Sequence, residues 1–248
     1  MFPLPEGLPP GRFVRHAATP VWISSTLPEN PEALRSLPGL VPLLCHPYAL
    51  GGPVEFAHLP LEQTLAEAFT EYRRRRLPWW TAPGPRPAPD GTAPRSHDPG
   101  PPFTTWPGLA PGTPPDGPAR YDAAAPLLAT LLHEHGPPLD EARLLLVPAH
   151  RGSEALARLG WAADVPLSLL CALLRSWEDR FGARLVAVLG SEVHMAVERP
   201  PRDGRCAELL ALEHVLSTAS SVVDDPPMPF SQYAAELVGR TSWSFWWD

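Results

Sequence analysis

Residues 243–248 read Trp-Ser-Phe-Trp-Trp-Asp, and no other stretch of this chain constrains its fold as tightly. Each such ring carries about 150–250 Å² of surface into a core. Left in water, the segment would aggregate or bind. In an extended strand successive side chains point to opposite faces. Trp243, Phe245 and Trp247 therefore share one face, and Ser244, Trp246 and Asp248 share the other. Sequence termini are usually frayed and polar, so this one reads as a strand locked into a sheet. The first three aromatics are expected in the core, with Trp177 packed on them.

Proline sets the second constraint. The chain has 36 prolines in 248 residues, about three times ordinary usage. Twenty-six fall in residues 1–125 and ten in 126–248. The first half thus reads as short elements between stiff turns, and the second as an ordinary globular region. Fourteen prolines lie between Pro78 and Pro118, a polyproline-like linker or wrap that Phe103, Trp106 and Leu109 could pin to the surface. Its first half, about 82–100, is expected to be the most mobile. The expected organisation is N-terminal α/β elements over 1–80, a Pro/Gly-rich linker over 81–120, and an α+β domain over 121–248.

All twenty basic residues are arginine. Without lysine, Schiff-base catalysis, pyridoxal-phosphate attachment and a P-loop are excluded, and no GxGxxG occurs. The net charge of −7 disfavours a general nucleic-acid binder. No apolar run approaches the ~20 residues that span a bilayer. No secretory signal is evident at Met1-Phe2-Pro3. Cys45, Cys171 and Cys206 have no metal-ligand spacing and sit in apolar segments, which fits reduced thiols in a cytoplasmic protein.

Periodicity supplies the elements. Strands are predicted at 19–25, 40–45, 144–147, 185–189 and 192–198, the last two joined by the Gly190-Ser191 turn. Helices are predicted from Leu61 to Leu77, from Asp122 to His135, from a Ser153 cap to Gly160, and from Pro166 to Gly182. Two more run from Asp203 or Gly204 to Leu216 and from a Ser231 cap to Gly239. The order implies α+β: a largely antiparallel mixed sheet with helices packed on one face.

Several segments together resemble a bacterial family. They are Arg143–Gly152 (RLLLVPAHRG), Gly160-Trp161, Leu174–Arg184 (LRSWEDRFGAR), Val197–Pro201 (VERPP), Glu213-His214, Tyr233-Ala234 and the WSFWWD run. In this order they are similar to DUF4253, a domain of unknown function. Pro20–Ser24 (PVWIS) and Gly39–Leu44 (GLVPLL) extend the likeness more loosely. The family pattern carries an Asp-Thr pair where this chain has Ser191-Glu192. It also carries an aromatic and a Cys-Pro-Asp turn where this chain has Val215–Ser220. If those positions carry the family's activity, this copy is altered.

Candidate sites follow from residue type. Glu213 borders the apolar stripe of its helix, so its carboxylate must be paired or hydrogen-bonded. Glu213 and His214, joined by His194, would form a two-histidine, one-carboxylate set suited to metal-assisted hydrolysis. His133 and His135 point apart on a helix and cannot share an ion. His150, before Arg151-Gly152, could meet an anion at a helix start. Arg73–Arg76 end a helix in front of Trp79-Trp80, so Arg75, Arg76, Trp79 and Trp80 form a candidate anion or partner surface. Trp246 and Asp248 form another. The leading expectation is a binding or regulatory module with a protein partner, of immunity type by analogy with small acidic bacterial proteins. The alternative is the metal-assisted hydrolase. No cofactor is assigned.

Overall fold

The computed structural model describes residues 2–28, 38–47, 50–53, 59–81, 98–112, 127, 129, 131, 141–161, 164–219, 221–222 and 228–247. Most of the predicted 122–135 helix, residues 82–97 of the linker, His133, His135 and Asp248 lie outside them. Among the described residues seven strands build one sheet: β1 (Gly11–His16), β2 (Thr19–Ser24), β3 (Leu40–Cys45), β4 (Arg143–Pro148), β5 (Ala183–Leu189), β6 (Glu192–Val197) and β7 (Ser242–Trp246). Their spatial order is β1-β2-β4-β3-β5-β6-β7. Every neighbouring pair is antiparallel except β3 with β5. The helices among the described residues are α1 (Leu61–Trp80), α2 (Gly152–Leu159), α3 (Leu167–Phe181), α4 (Gly204–Leu216) and α5 (Phe230–Leu237). The α+β class and the mixed, mostly antiparallel sheet expected from the sequence are what the structure has.

The chain divides into two units. The first holds Met1–Leu59, Gly112–Pro200 and Arg240–Asp248; the second holds Pro60–Pro111 and Pro201–Gly239. The first unit contains the whole sheet with α2 and α3. One sheet face carries Cys45, Val188, Val193 and Phe245 in adjacent register. Onto it packs α3, whose Leu170, Leu174, Trp177 and Phe181 recur at three- and four-residue spacing and are all buried. Trp177 stacks on Phe245 at 5.3 Å between ring centroids and meets Trp243 edge-on at 6.0 Å. Phe181 also meets Trp243, at 5.8 Å, and Trp161 meets Trp247 at 5.7 Å. Trp243, Phe245 and Trp247 are buried, as the alternation predicts. At about 25 cal/mol per Å², each ring contributes roughly 4–6 kcal/mol of burial. The opposite face buries Leu44, Leu144, Ala187 and Ala196 together with Leu131 and, at its margin, Phe2, Leu8, Phe13 and Leu127.

Local chemistry explains where prediction and structure differ. β1 is not legible in the sequence, because Arg12, Arg15 and His16 blur its alternation. It forms by pairing with β2 through a turn that holds Ala17 at φ 49°. Neither Ser153 nor Ser231 caps its helix: α2 starts from Arg151 and α5 from Pro229, without side-chain caps. Ser153 is instead buried inside α2. Asp203 does cap α4, accepting the Cys206 amide at 2.9 Å. Gly160 closes α2 in the left-handed region at φ 55°, where a Cβ would collide with the Gly52 carbonyl. That close approach lets Gly51 donate to the Gly160 carbonyl at 2.8 Å and accounts for the Gly160-Trp161 pair.

In the second unit α4 packs against α1 and α5. Segment 98–111 runs over them as the sequence anticipates: Phe103 lies under Arg205 at 4.8 Å, and Trp106 faces Phe69 at 6.3 Å. Helix α1 runs through Pro78 to Trp80, three residues beyond its predicted end. An interior proline costs about 3 kcal/mol. Here the last turn is held by the Thr81 amide on the Leu77 carbonyl at 3.1 Å. Trp80 meets Tyr72 at 5.5 Å and leaves room for no side chain at Gly100. Arg73–Arg76 consequently stand before the last turn, not in it.

Trp243→Ala should cost about 3–5 kcal/mol in chemical denaturation. A loss under about 1 kcal/mol would contradict the aromatic layer as the first unit's core.

Candidate functional site

The predicted polar residues fall into both units. Glu213 and His214 belong to α4 in the second unit and are fully buried. Glu213 Oε1 accepts the Ala110 amide at 2.8 Å, so the carboxylate ties the proline-rich segment to α4. His214 Nδ1 lies 2.8 Å from the Tyr233 hydroxyl, joining α4 to α5. Glu213, His214 and Tyr233 of the two signatures are thereby given structural work. The helix ends when Ser217 turns its hydroxyl back to the His214 carbonyl at 2.6 Å and Thr218 adopts φ 68°.

His194 belongs to β6 in the first unit. Its Nδ1 is 3.0 Å from Ser244 Oγ on β7, and its Nε2 is 3.1 Å from Glu192 Oε2. The register sets His194 directly opposite Ser244 and Glu192 opposite Trp246. A bulge at Val186 in β5 brings His194 level with Ala187 on the same face. The three polar residues differ in access: the His194 side chain is 6% exposed and the Glu192 side chain 50%, and Ser244 is exposed. Ser244 and Glu192 were not singled out in the sequence as a pair with His194. The signal that could have found them is the i, i+2 spacing of Glu192 and His194 on one strand face. The match with Ser244 needs the strand register, which joins residues 50 positions apart. Trp246 is half-buried on that same row. Among the described residues no group of three or more His, Cys, Asp and Glu could hold a metal ion.

The α1 surface has a different character. Trp79 is 68% exposed, the most exposed large apolar side chain described, and Leu77, two residues earlier in the helix, is 37% exposed. Glu71, Arg75 and Trp79 follow at four-residue spacing along one face. Glu71 holds Arg74 at 2.8 Å and Arg75 at 3.4 Å, and Arg76 lies over the Tyr72 ring at 5.7 Å. The Arg74 hydrogen bond comes first in holding the Glu71 carboxyl below its ordinary range. Trp80 is half-buried. Of the four residues predicted there, Trp79 and Arg75 are outward and exposed, while Trp80 is a packing residue.

The His150 loop is already occupied. The His150 amide donates to Glu154 Oε2 at 3.0 Å, and Arg151 pairs with Asp179 at 2.6 Å. Arg184 pairs with Glu178 at 3.5 Å, and burial outweighs that partner in pushing the Glu178 carboxyl up. Burial also raises the Cys45 and Cys171 thiols to about 12.

Residues 143–248 match the family model described as domain of unknown function DUF4253. The matched region is the one whose motifs are similar to that family. It contains β4 to β7 and α2 to α5, and so includes Glu192, His194, Glu213, His214, Ser244 and Trp246. No curated protein and no solved structure matches the chain.

Two outcomes test these assignments. Cys45 and Cys171 should resist alkylation at pH 8 and react on unfolding; rapid labelling of the native protein would contradict their burial. Glu213→Ala strands the Ala110 amide and should cost at least about 1–3 kcal/mol, while Glu213→Gln, which keeps a carbonyl acceptor, should cost less. A Glu213→Ala protein with unchanged stability that has lost a stoichiometric metal would assign the carboxylate to a metal site.

Proposed function

We propose that the protein is a binding or regulatory module whose partner surface is the α1 patch of Trp79, Arg75 and Arg76. The observation that carries this reading is Trp79, which leaves 68% of its surface in water. Tryptophan and arginine dominate the energetics of protein interfaces, because each brings a large rigid surface together with a polar or charged edge. Arg74 and Arg75 are held by Glu71, so less side-chain freedom is lost when a partner carboxylate arrives. The fitting partner is a protein segment that offers acidic groups to the arginines and an apolar side chain to Trp79. The chain's net charge of −7 argues against nucleic acid in that role. An immunity-type role in a bacterial cytoplasm fits such a module by analogy alone.

The metal-assisted hydrolase remains the contrasting reading, with His194, Glu213 and His214 as its residues. Glu213 and His214 carry contacts that hold α4 to its surroundings, which favours a structural role for both.

Quantitative affinity capture with wild type and Trp79→Ala tests the proposal. The substitution removes an exposed side chain, so melting should stay within about a degree or two of wild type. A protein retained by wild type should be lost from the variant at least tenfold. Equal retention by both would remove α1 as the surface. Capture of nucleic acid in place of protein, or of nothing specific, would overturn the binding-module reading.

A further inference from the structure

We propose that Ser244 is a nucleophile for acyl transfer from carboxylic esters, with His194 as its general base and Glu192 as the residue that positions the imidazole. A carboxylate accepts hydrogen bonds and donates none. The Glu192 contact at 3.1 Å therefore fixes the proton of His194 on Nε2. Nδ1 is left as the acceptor of the Ser244 hydroxyl at 3.0 Å. Nucleophile, base and orienting carboxylate are thus linked in the sequence of roles that defines a serine–histidine–acid relay, whatever the order of its members along the chain.

Strand register supplies the rest. The Trp247 amide donates to Ser191 at 3.3 Å and the Val197 amide to Thr241 at 2.8 Å. Hydrogen-bonded pairs alternate with non-hydrogen-bonded pairs along an antiparallel ladder. His194 and Ser244 therefore form a non-hydrogen-bonded pair, the kind in which side chains stand closer. For the same reason the Ser244 backbone N–H and C=O are directed away from β6, on the outer side of the sheet's last strand. The hydroxyl stands on the sheet face while its own amide points along the sheet plane. That amide is the donor available to a carbonyl oxygen that becomes anionic as Ser244 attacks. Trp246, opposite Glu192 on the same row, gives an acyl or aryl group a flat apolar wall.

The step balances without any further reagent than water. Ser244 Oγ forms a bond to the ester carbonyl carbon, and its proton moves to His194 Nδ1. The ester C–O bond breaks, and the departing alkoxide takes that proton to leave as the alcohol. Water then attacks the acyl-serine, passes a proton to His194, and the carboxylic acid leaves as Ser244 Oγ regains it. This inference does not depend on the α1 surface.

The probe is a fluorophosphonate, which phosphonylates activated serines, applied to the full chain with peptide mapping by mass spectrometry. Ser231, exposed on α5, is the internal control for an ordinary serine. Ser244 should be labelled at least a hundredfold faster than Ser231. His194→Gln should abolish that advantage. Glu192→Gln should lower it several-fold without changing melting, and Glu192→Asp should restore part of it. Labelling of Ser244 no faster than Ser231, or unchanged in a folded His194→Gln protein, would overturn the proposal and leave the three residues as a cross-strand hydrogen-bond network.

Discussion

The contact between Trp177 and the strand of Trp243 and Phe245 is the interaction on which the rest of the first unit depends. Among the described residues β7 is the last strand of the sheet and has one neighbour for its backbone. Edge strands held by hydrogen bonds alone fray, and a two-stranded ribbon is marginal in water. What fixes β7 is its inward row, clamped by Trp177, Phe181 and, beyond the strand end, Trp161. Once the inward row is fixed, period-two alternation sends Ser244 and Trp246 to the other face. The Ser244–His194 contact is a consequence of aromatic packing on the opposite side of the sheet. A one-residue slip of β7 would exchange the two rows and destroy both features at once.

Much of this was legible because it rests on period and residue type. The core assignment of Trp243, Phe245 and Trp247 needed nothing beyond alternation. The long helix carrying Trp177 came from its apolar spacing, and the β5–β6 hairpin from Gly190 between two apolar runs. The elements that escaped are those in which tertiary contact overrides local preference. β1 is made by its pairing with β2 despite its arginines. The last turn of α1 survives Pro78 because Trp80 is seated against Tyr72. Caps were misplaced at Ser153 and Ser231 because a serine near a helix start signals a boundary without saying which residue occupies it.

The functional residues divide along the same line. Glu213 is recognisable from sequence as a carboxylate beside an apolar stripe, and burial does require it to find a partner. It accepts the backbone amide of Ala110, more than a hundred positions away, which no local pattern could supply. His194 could be picked out as a polar residue on a strand. Its association with Ser244 required a register of five residue pairs between β6 and β7. Arg73–Arg76 read as a helix-terminal cluster until the helix proved longer, which turned part of the cluster and Trp79 into one continuous outward face.

Native-state hydrogen exchange, resolved to single amides, tests the central claim most directly. If the aromatic clamp fixes β7, the Trp243 and Phe245 amides, which face β6, should open with free energies close to those of the Val188 and His194 amides, which do not face β7. Exchange of these two amides at rates near those of an unstructured chain, with β5 and β6 still protected, would show that β7 is not held and would contradict the account.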